Sequence, residues 1–452
     1  MPEVAIIGGG PGGLFTAYEL QRIIDRPLRL TIFEASHRLG GKVQTAQFAS
    51  APVRYEVGAA EFYDYEQLGR DPLKDLALEL GLPLRPLSGP VVLMDGYPIA
   101  NLDDVRDRLG SAAANALHAF DRQARDRMTP REFYSSGSAE TAMTPDEGRF
   151  DVTLASMTDP QARLFVKHLI HSDLAAEPAQ TNVEYGLQNY LMNDPKYMRL
   201  YAIEGGNERL MTSLAARLDA DVRLNSRAKQ VSRSPSGKLR IHLEECGQCT
   251  EREFDLVVAA LPHSAMAQVE FSGTRLANAI ASHQSHHNHP AHYLRVTLLY
   301  EKPFWRSHVH GAFWMLDCFG GCCLYDESLR DPSVRYGILG WLLAGDSARE
   351  MAQATDEEIV RQIQAALPAS LNDGHSVPIE TRVHRWIGAV SAMPGGTHPM
   401  PLDLRHCPEP IEHADLFVVG DYLYDSTLNG VLDSAEYVAA WIAAKIAQGS
   451  YR

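Results

Sequence analysis

No uninterrupted apolar run in this chain approaches the roughly twenty residues that span a bilayer, which excludes a helical membrane protein. Cysteine is scarce: six in 452 residues do not form a secreted disulfide framework. Cys246 and Cys249 bracket what reads as a hairpin tip between strand-like residues 239–244 and 254–259, with no second pair at zinc-ribbon spacing. Cys318, Cys322 and Cys323 lie in an apolar stretch and read as buried thiols. Positive charge is also short, with 42 Lys and Arg against 57 Asp and Glu, a formal balance of -15. That argues against nucleic acid and mildly favours a cationic substrate, although an acidic surface commonly serves solubility alone. Internal repeats and low-complexity segments are missing. His283, His286, His287, His289 and His292 lack a regular ligand spacing, so no metal is expected. A strand that starts by the fourth residue leaves no room for a signal peptide, and the expected location is cytoplasmic.

What is present begins at once. Val4-Ala5-Ile6-Ile7 is a β-branched run short enough for a fully buried parallel strand, and it passes directly into Gly8-Gly9-Gly10-Pro11-Gly12-Gly13. Gly8, Gly10 and Gly13 carry the G-x-G-x-x-G spacing: a tight turn, a close backbone approach to pyrophosphate, and close packing of the next helix on the strand. A helix over about 14–24 points its N-terminal amides at that phosphate. A second strand over 28–33 ends in Glu34, the acid expected about twenty positions on, where it accepts from ribose hydroxyls. Strand, turn, helix, strand and acid all fall in register, which a glycine turn alone would not require. The length suggests two domains.

Directly after the acid comes Glu34-Ala35-Ser36-His37-Arg38-Leu39-Gly40-Gly41-Lys42, which resembles the E-A-x-x-R-x-G-G-[RK] signature of FAD-dependent amine oxidases and their relatives. The resemblance implies FAD rather than NAD. It covers most of the chain in four ordered cofactor segments: this one, then Gly58-Ala59-Ala60-Glu61, then the stretch through Ala228 to Pro262, and last Gly420-Asp421 with Asn429-Gly430-Val431. The implied fold is α/β, a Rossmann-like FAD-binding domain (1–64, 200–265 and 405–452) interleaved with an α+β substrate-binding domain (65–199 and 266–404). Helices are expected over 73–80, 105–125 and 161–174, with a Ser-, Thr-, Pro- and Gly-rich loop over 129–148.

The implied cofactor contacts are Gly8, Gly10, Pro11, Gly12, Gly13, Glu34, Ala35, Arg38, Gly41, Lys42, Gly58, Ala59, Ala60, Ala228, Gly420, Asp421, Gly430 and Val431. Substrate contacts are expected from Glu61, Phe62, Tyr185, Trp386, Tyr422 and Tyr424. The implied reaction takes a hydride from a carbon bearing a neutral amine to give an imine, with molecular oxygen as the final acceptor. Amino-acid oxidation, desaturation and flavin binding without turnover share the fold and stay open, as does a homodimer.

Four departures from the family pattern matter. Where its amino-acid oxidases place an arginine for the substrate carboxylate, this chain has Glu61, which repels a carboxylate and either holds an ammonium or serves as a structural acid. Ten positions before Trp305, where monoamine oxidases have a lysine that reaches flavin N5 through a water, stands Arg295, whose charge burial does not remove. Catalysis and a structural salt bridge are both open to it. Around Met393-Pro394-Gly395-Gly396 glycine replaces the cysteine that bonds flavin, so FAD is expected without a covalent link. The cage tyrosine expected beside Gly430 is missing, and Tyr422 and Tyr424 are its candidate replacements.

Overall fold

The computed structural model describes residues 1–89, 91–130, 133, 148–307, 309–331, 333–393 and 400–449. At its centre is a parallel sheet of five strands in the order Asp221–Arg223, Arg29–Phe33, Glu3–Ile7, Leu256–Ala259 and Leu416–Val418, drawn from distant parts of the chain. Alternation along each strand decides its two faces. Val4, Ile6, Leu256, Val258 and Phe417 pack against helices Pro11–Ile23 and Leu428–Gln448, which lie side by side. Ala5, Ile7, Val257, Ala259 and Val418 face a four-stranded sheet built on Ser226–Arg233, Leu239–Glu245 and Gln248–Phe254. Both faces being covered, the strands read as continuous apolar runs rather than alternating ones.

A seven-stranded sheet in the order Glu380–Ser391, Pro290–Tyr300, Gly337–Ala344, Cys322–Asp326, Phe313–Leu316, Val92–Met94 and Tyr97–Ile99 forms the second body of the molecule. Helices Ser111–Arg127, Pro160–Leu174 and Val183–Leu191 share an apolar core with part of it, through Phe120, Val166, Leu187, Phe313 and Met315. Among the described residues, no helix is long and apolar enough to cross a membrane.

Several local readings change. The single helix expected over 105–125 is two, Leu102–Leu109 and Ser111–Arg127, since Gly110 at φ +93° breaks the first with an open turn. The first helix starts at Pro11, not Leu14: proline tolerates the first helical position, where its missing N–H would be unpaired anyway. The partner of strand Leu239–Glu245 is Gln248–Phe254, so Cys249 lies in a strand and only Cys246 and Gly247, both at positive φ, form the tip. The run expected over 254–259 is divided at Asp255, whose carboxylate accepts from the Glu3 N–H at 2.9 Å, and its second half joins the parallel sheet. Cys322 and Cys323 are buried, while Cys318 is half-buried. The loop expected over 129–148 lies largely outside the described residues, as do the glycines at 395 and 396.

Candidate active site

A cavity of about 660 Å³ runs along the C-terminal ends of the parallel strands and under one edge of the seven-stranded sheet. At one end its wall is made by Gly8, Gly10, Pro11, Gly12, Glu34, Ala35, Gly41 and Lys42, with Ala228 from the next sheet. The two glycine turns pack backbone to backbone: the Gly40 N–H donates to the Gly9 carbonyl at 2.8 Å, and a Cβ on Gly41 would lie 3.1 Å from the Gly10 Cα. No side chain fits between them, so this part of the wall is built from glycine backbone. Glu34 accepts from the Gly9 N–H and the Ser36 N–H, each at 2.8 Å, one per oxygen. Each oxygen retains a lone pair for a hydroxyl. Two helices begin at this wall, Pro11–Ile23 behind Gly10 and Leu428–Gln448 behind Thr427, whose hydroxyl caps the Gly430 N–H at 3.0 Å. Their positive ends suit bound anionic or polar groups.

Three expected cofactor residues do not reach the lining, and each has a different task. Gly13 is where helix and strand touch, since a Cβ there would lie 1.9 Å from the Gly8 carbonyl oxygen. The Arg38 guanidinium folds back onto its own loop, donating to the Leu39 and Gly41 carbonyls at 2.9 and 2.5 Å. Gly430 makes room for Asp425, whose carbonyl oxygen would be 2.3 Å from a Cβ. Gly58, Ala59, Ala60, Gly420, Asp421 and Val431 do line the cavity. Lys42 reaches across to the Ala389 carbonyl at 2.6 Å and to Asp421 at 3.3 Å, joining the first glycine segment to the last.

The other end is lined by Glu61, Phe62, Tyr63, Tyr293, Leu342 and Trp386. Tyr293 and Trp386 are register partners on neighbouring antiparallel strands, and the Trp386 indole N–H donates to the Val57 carbonyl at 2.8 Å. Burial raises the Glu61 carboxyl above its ordinary value, outweighing the opposing fields of Arg330 and Arg295 and a hydrogen bond with Tyr325. One Glu61 oxygen is shielded from solvent and has no hydrogen-bond partner.

Arg295 is not in the lining. Its side chain is fully buried behind Glu61, where it forms an ion pair with Glu327 and donates through Nε to the Glu56 carbonyl at 2.6 Å. The strand alternates, so Tyr293 and Arg295 share a face, but the cavity ends between them and the arginine lies among carboxylates. Glycine at position 340 is required here, since a Cβ would lie 2.1 Å from the Glu327 carboxylate. Three of the expected substrate contacts are also outside the lining. Tyr185 packs in the helical core, Tyr422 lies edge-on to the rings of His263, His283 and His287, and Tyr424 lies against His406.

Tyr63 and Tyr293 were not singled out from the sequence. Only the period-two pattern of 293–300 and the position of Tyr63 two residues after Glu61 pointed to them.

Residues 11–443 match the family model of flavin containing amine oxidoreductases. The chain belongs to this family. Flavin-dependent oxidoreduction follows from that membership, and the glycine-pinched end of the cavity with Glu34 has room for a flavin cofactor. Among solved structures of this fold, wild-type putrescine oxidase bound to putrescine is 20% identical with a TM-score of 0.74, covering 98% of this chain and 99% of that one. Cyclohexylamine oxidase from Brevibacterium oxydans IH-35A is 19% identical with a TM-score of 0.74 and the same coverage. A curated relative, coproporphyrinogen III oxidase of Bacillus subtilis (strain 168), is 39% identical over 80 residues, 17% of each chain. The corresponding protein of Mycobacterium tuberculosis (strain ATCC 25618 / H37Rv) is 35% identical over 83 residues, 18% of this chain and 17% of its own. The matched stretch thus spans about a sixth of these relatives' length.

Proposed function

We propose that this family member binds FAD without a covalent link and oxidises a small cationic amine to an imine, with molecular oxygen as the final acceptor and the cytoplasm as its location. The observation that carries the reading is one continuous cavity with two unlike ends: a glycine wall with Glu34, and a wall of aromatic rings around Glu61. Glu34 would accept from the ribose hydroxyls, the turn from Gly8 to Gly12 would hold the pyrophosphate, and Lys42 and Asp421 would hold polar groups nearer the ring. Bound there, flavin supplies a hydride acceptor that oxygen can reoxidise.

The chain's own residues do the rest. Tyr63, Tyr293 and Trp386 would exclude water from this end and pack on the apolar part of the amine. Glu61 attracts an ammonium and repels a carboxylate, which separates amines from amino acids by the sign of one charge. A desolvated bond between charged groups is worth roughly 1.5–3 kcal/mol, on the order of ten- to a hundredfold in affinity. Arg295, Arg330 and Glu327 lie behind Glu61 and position it.

The test is anaerobic mixing of the yellow holoenzyme with separate panels of amines, amino acids and polyenes. Bleaching by amines is expected, and bleaching by amino acids or polyenes alone overturns the assignment. After acid precipitation the flavin belongs in the supernatant; flavin retained on the pellet contradicts non-covalent binding.

A further inference from the structure

Two sulfurs of this chain lie in contact without a bond. The Sγ atoms of Cys318 and Cys322 are 3.6 Å apart, at either end of the turn that joins strands Phe313–Leu316 and Cys322–Asp326. That turn is closed by the Gly321 N–H donating to the Cys318 carbonyl at 3.0 Å, with Phe319, Gly320 and Gly321 all at positive φ. It is seated on helix Pro160–Leu174: a Cβ on Gly321 would lie 2.9 Å from the His171 Cβ, and the Gly321 carbonyl oxygen is 2.8 Å from the His171 Nδ1. A closed and seated turn keeps the two thiols together.

Alternation along the strand selects the pair. Cys322 points into the core that holds Leu316, Leu324 and Trp341, and Cys318 packs on that same core. Cys323, one residue on, points the other way, into the helical core with Met315 and Tyr325. The two sulfurs also differ in access, since Cys318 is half-buried and Cys322 is fully buried. Cys246 and Cys249 are exposed on another hairpin, and Cys407 is buried in a different core.

We propose that Cys318 and Cys322 form a peroxide-reacting dithiol, in which Cys318 takes the oxidant and Cys322 resolves it to a reversible disulfide. The Cys318 sulfur attacks one oxygen of hydrogen peroxide and the O–O bond breaks. The departing hydroxide leaves as water with the thiol proton, and Cys318 becomes a sulfenic acid. The Cys322 sulfur then attacks the Cys318 sulfur: an S–S bond forms, the S–O bond breaks, and the hydroxyl leaves as a second water with the Cys322 proton. Peroxide gains the two electrons that the thiols lose. Burial pushes the Cys322 thiol well above its ordinary range, which leaves the first attack to the sulfur that solvent reaches. Contact makes the second step intramolecular, with the sulfurs closing from 3.6 Å to about 2.05 Å. Return of electrons to oxygen in the turnover proposed above makes this oxidant, but peroxide of any origin serves.

The experiment uses the FAD-loaded full chain, as wild type and with Cys246→Ser and Cys249→Ser removing the exposed thiols, titrated with hydrogen peroxide in the absence of any amine. Each chain lacking the exposed thiols should lose the mass of two hydrogens and regain it with dithiothreitol. Chymotryptic cleavage after Phe319 should leave two fragments joined until reduction, in the wild type as well. Cys323→Ser should keep that link. Cys322→Ser should lose it and leave a Cys318 sulfenic acid that dimedone traps, and Cys318→Ser should slow oxidation of Cys322 by more than about tenfold. Flavin absorbance certifies that each variant is folded. Overoxidation of Cys318 with no link to Cys322, loss of the link in Cys323→Ser, undiminished oxidation of Cys322 in Cys318→Ser, or thiols that survive a large excess of peroxide overturns the dithiol. With no amine present, none of these outcomes bears on the amine reading.

Discussion

Arg295 offers the sharpest test of how this site differs from its relatives. Arg295→Met removes a fully buried guanidinium and keeps an unbranched chain of similar reach. Among the described residues, Glu327 is then left without an ion pair and accepts only the Glu56 N–H at 2.9 Å, while the Glu56 and Glu61 carboxyls act on the same site. Breaking a buried pair from one side costs roughly 3–5 kcal/mol, because the remaining charge is desolvated and uncompensated. Glu327→Gln alone leaves Arg295 with the Glu56 carbonyl and no counter-ion in direct contact, and should cost a comparable amount. The double variant carries neither charge and should recover at least about 2 kcal/mol relative to the sum of the single losses. Urea unfolding of the three holoenzymes, followed by tryptophan fluorescence, measures all of these terms. At a temperature where each variant is folded, the rate of flavin reduction should fall less than about tenfold for the double variant, since neither group lines the cavity. If the two losses simply add, or if the double variant stays stable yet loses the reduction step altogether, the pair is not the structural support described above and Arg295 belongs to the chemistry.

Two further outcomes are expected. Gly13→Ala places a Cβ 1.9 Å from the Gly8 carbonyl oxygen, and backbone cannot yield as a side chain does. The variant should lose more than about 3 kcal/mol and its yellow colour, a result read by melting and flavin absorbance. Glu56, buried between the Asn207 N–H and the Thr45 hydroxyl, is pushed by burial from an ordinary 4.5 to about 7. The native state therefore holds a proton that the unfolded chain has already released, and stability falls as pH climbs from about 4.5 through about 7. Glu56→Gln should remove that component, on the order of 3 kcal/mol. Parallel pH profiles of unfolding in the two proteins would contradict it.

The glycine-walled end of the cavity was legible because its requirements are local. A tight turn, a backbone approach and a helix contact each demand glycine at a set spacing, and the structure has Gly8, Gly10 and Gly13 at a turn, a wall and a contact in that order. The roles of Arg38 and Gly430 were not separable from direct contacts, because supporting a loop and touching a ligand leave the same residue types at the same offsets. The hairpin beside Cys246 was misjudged for a similar reason. An apolar run over 254–259 carries no sign that Asp255 will turn the chain out of one sheet and into another.

The aromatic end of the cavity was legible only where a single residue changed the sign of a charge. Glu61 could be read from its position because the comparison at that point is arginine against carboxylate. Tyr63 and Tyr293 line the same end of the cavity from separate strands, and nothing in their local patterns signals that convergence. The fate of Arg295 makes the same point from the other side. Its strand, its alternation and the tryptophan ten positions on all matched an arrangement in which a cation reaches the ring. What decides otherwise is Glu327 on a neighbouring segment, admitted by a glycine at 340. An arginine cannot shed its charge on burial, so it must bring its own anion. With that anion in place the cation is spent on structure, and the ionisable side chain that lines the cavity here is Glu61.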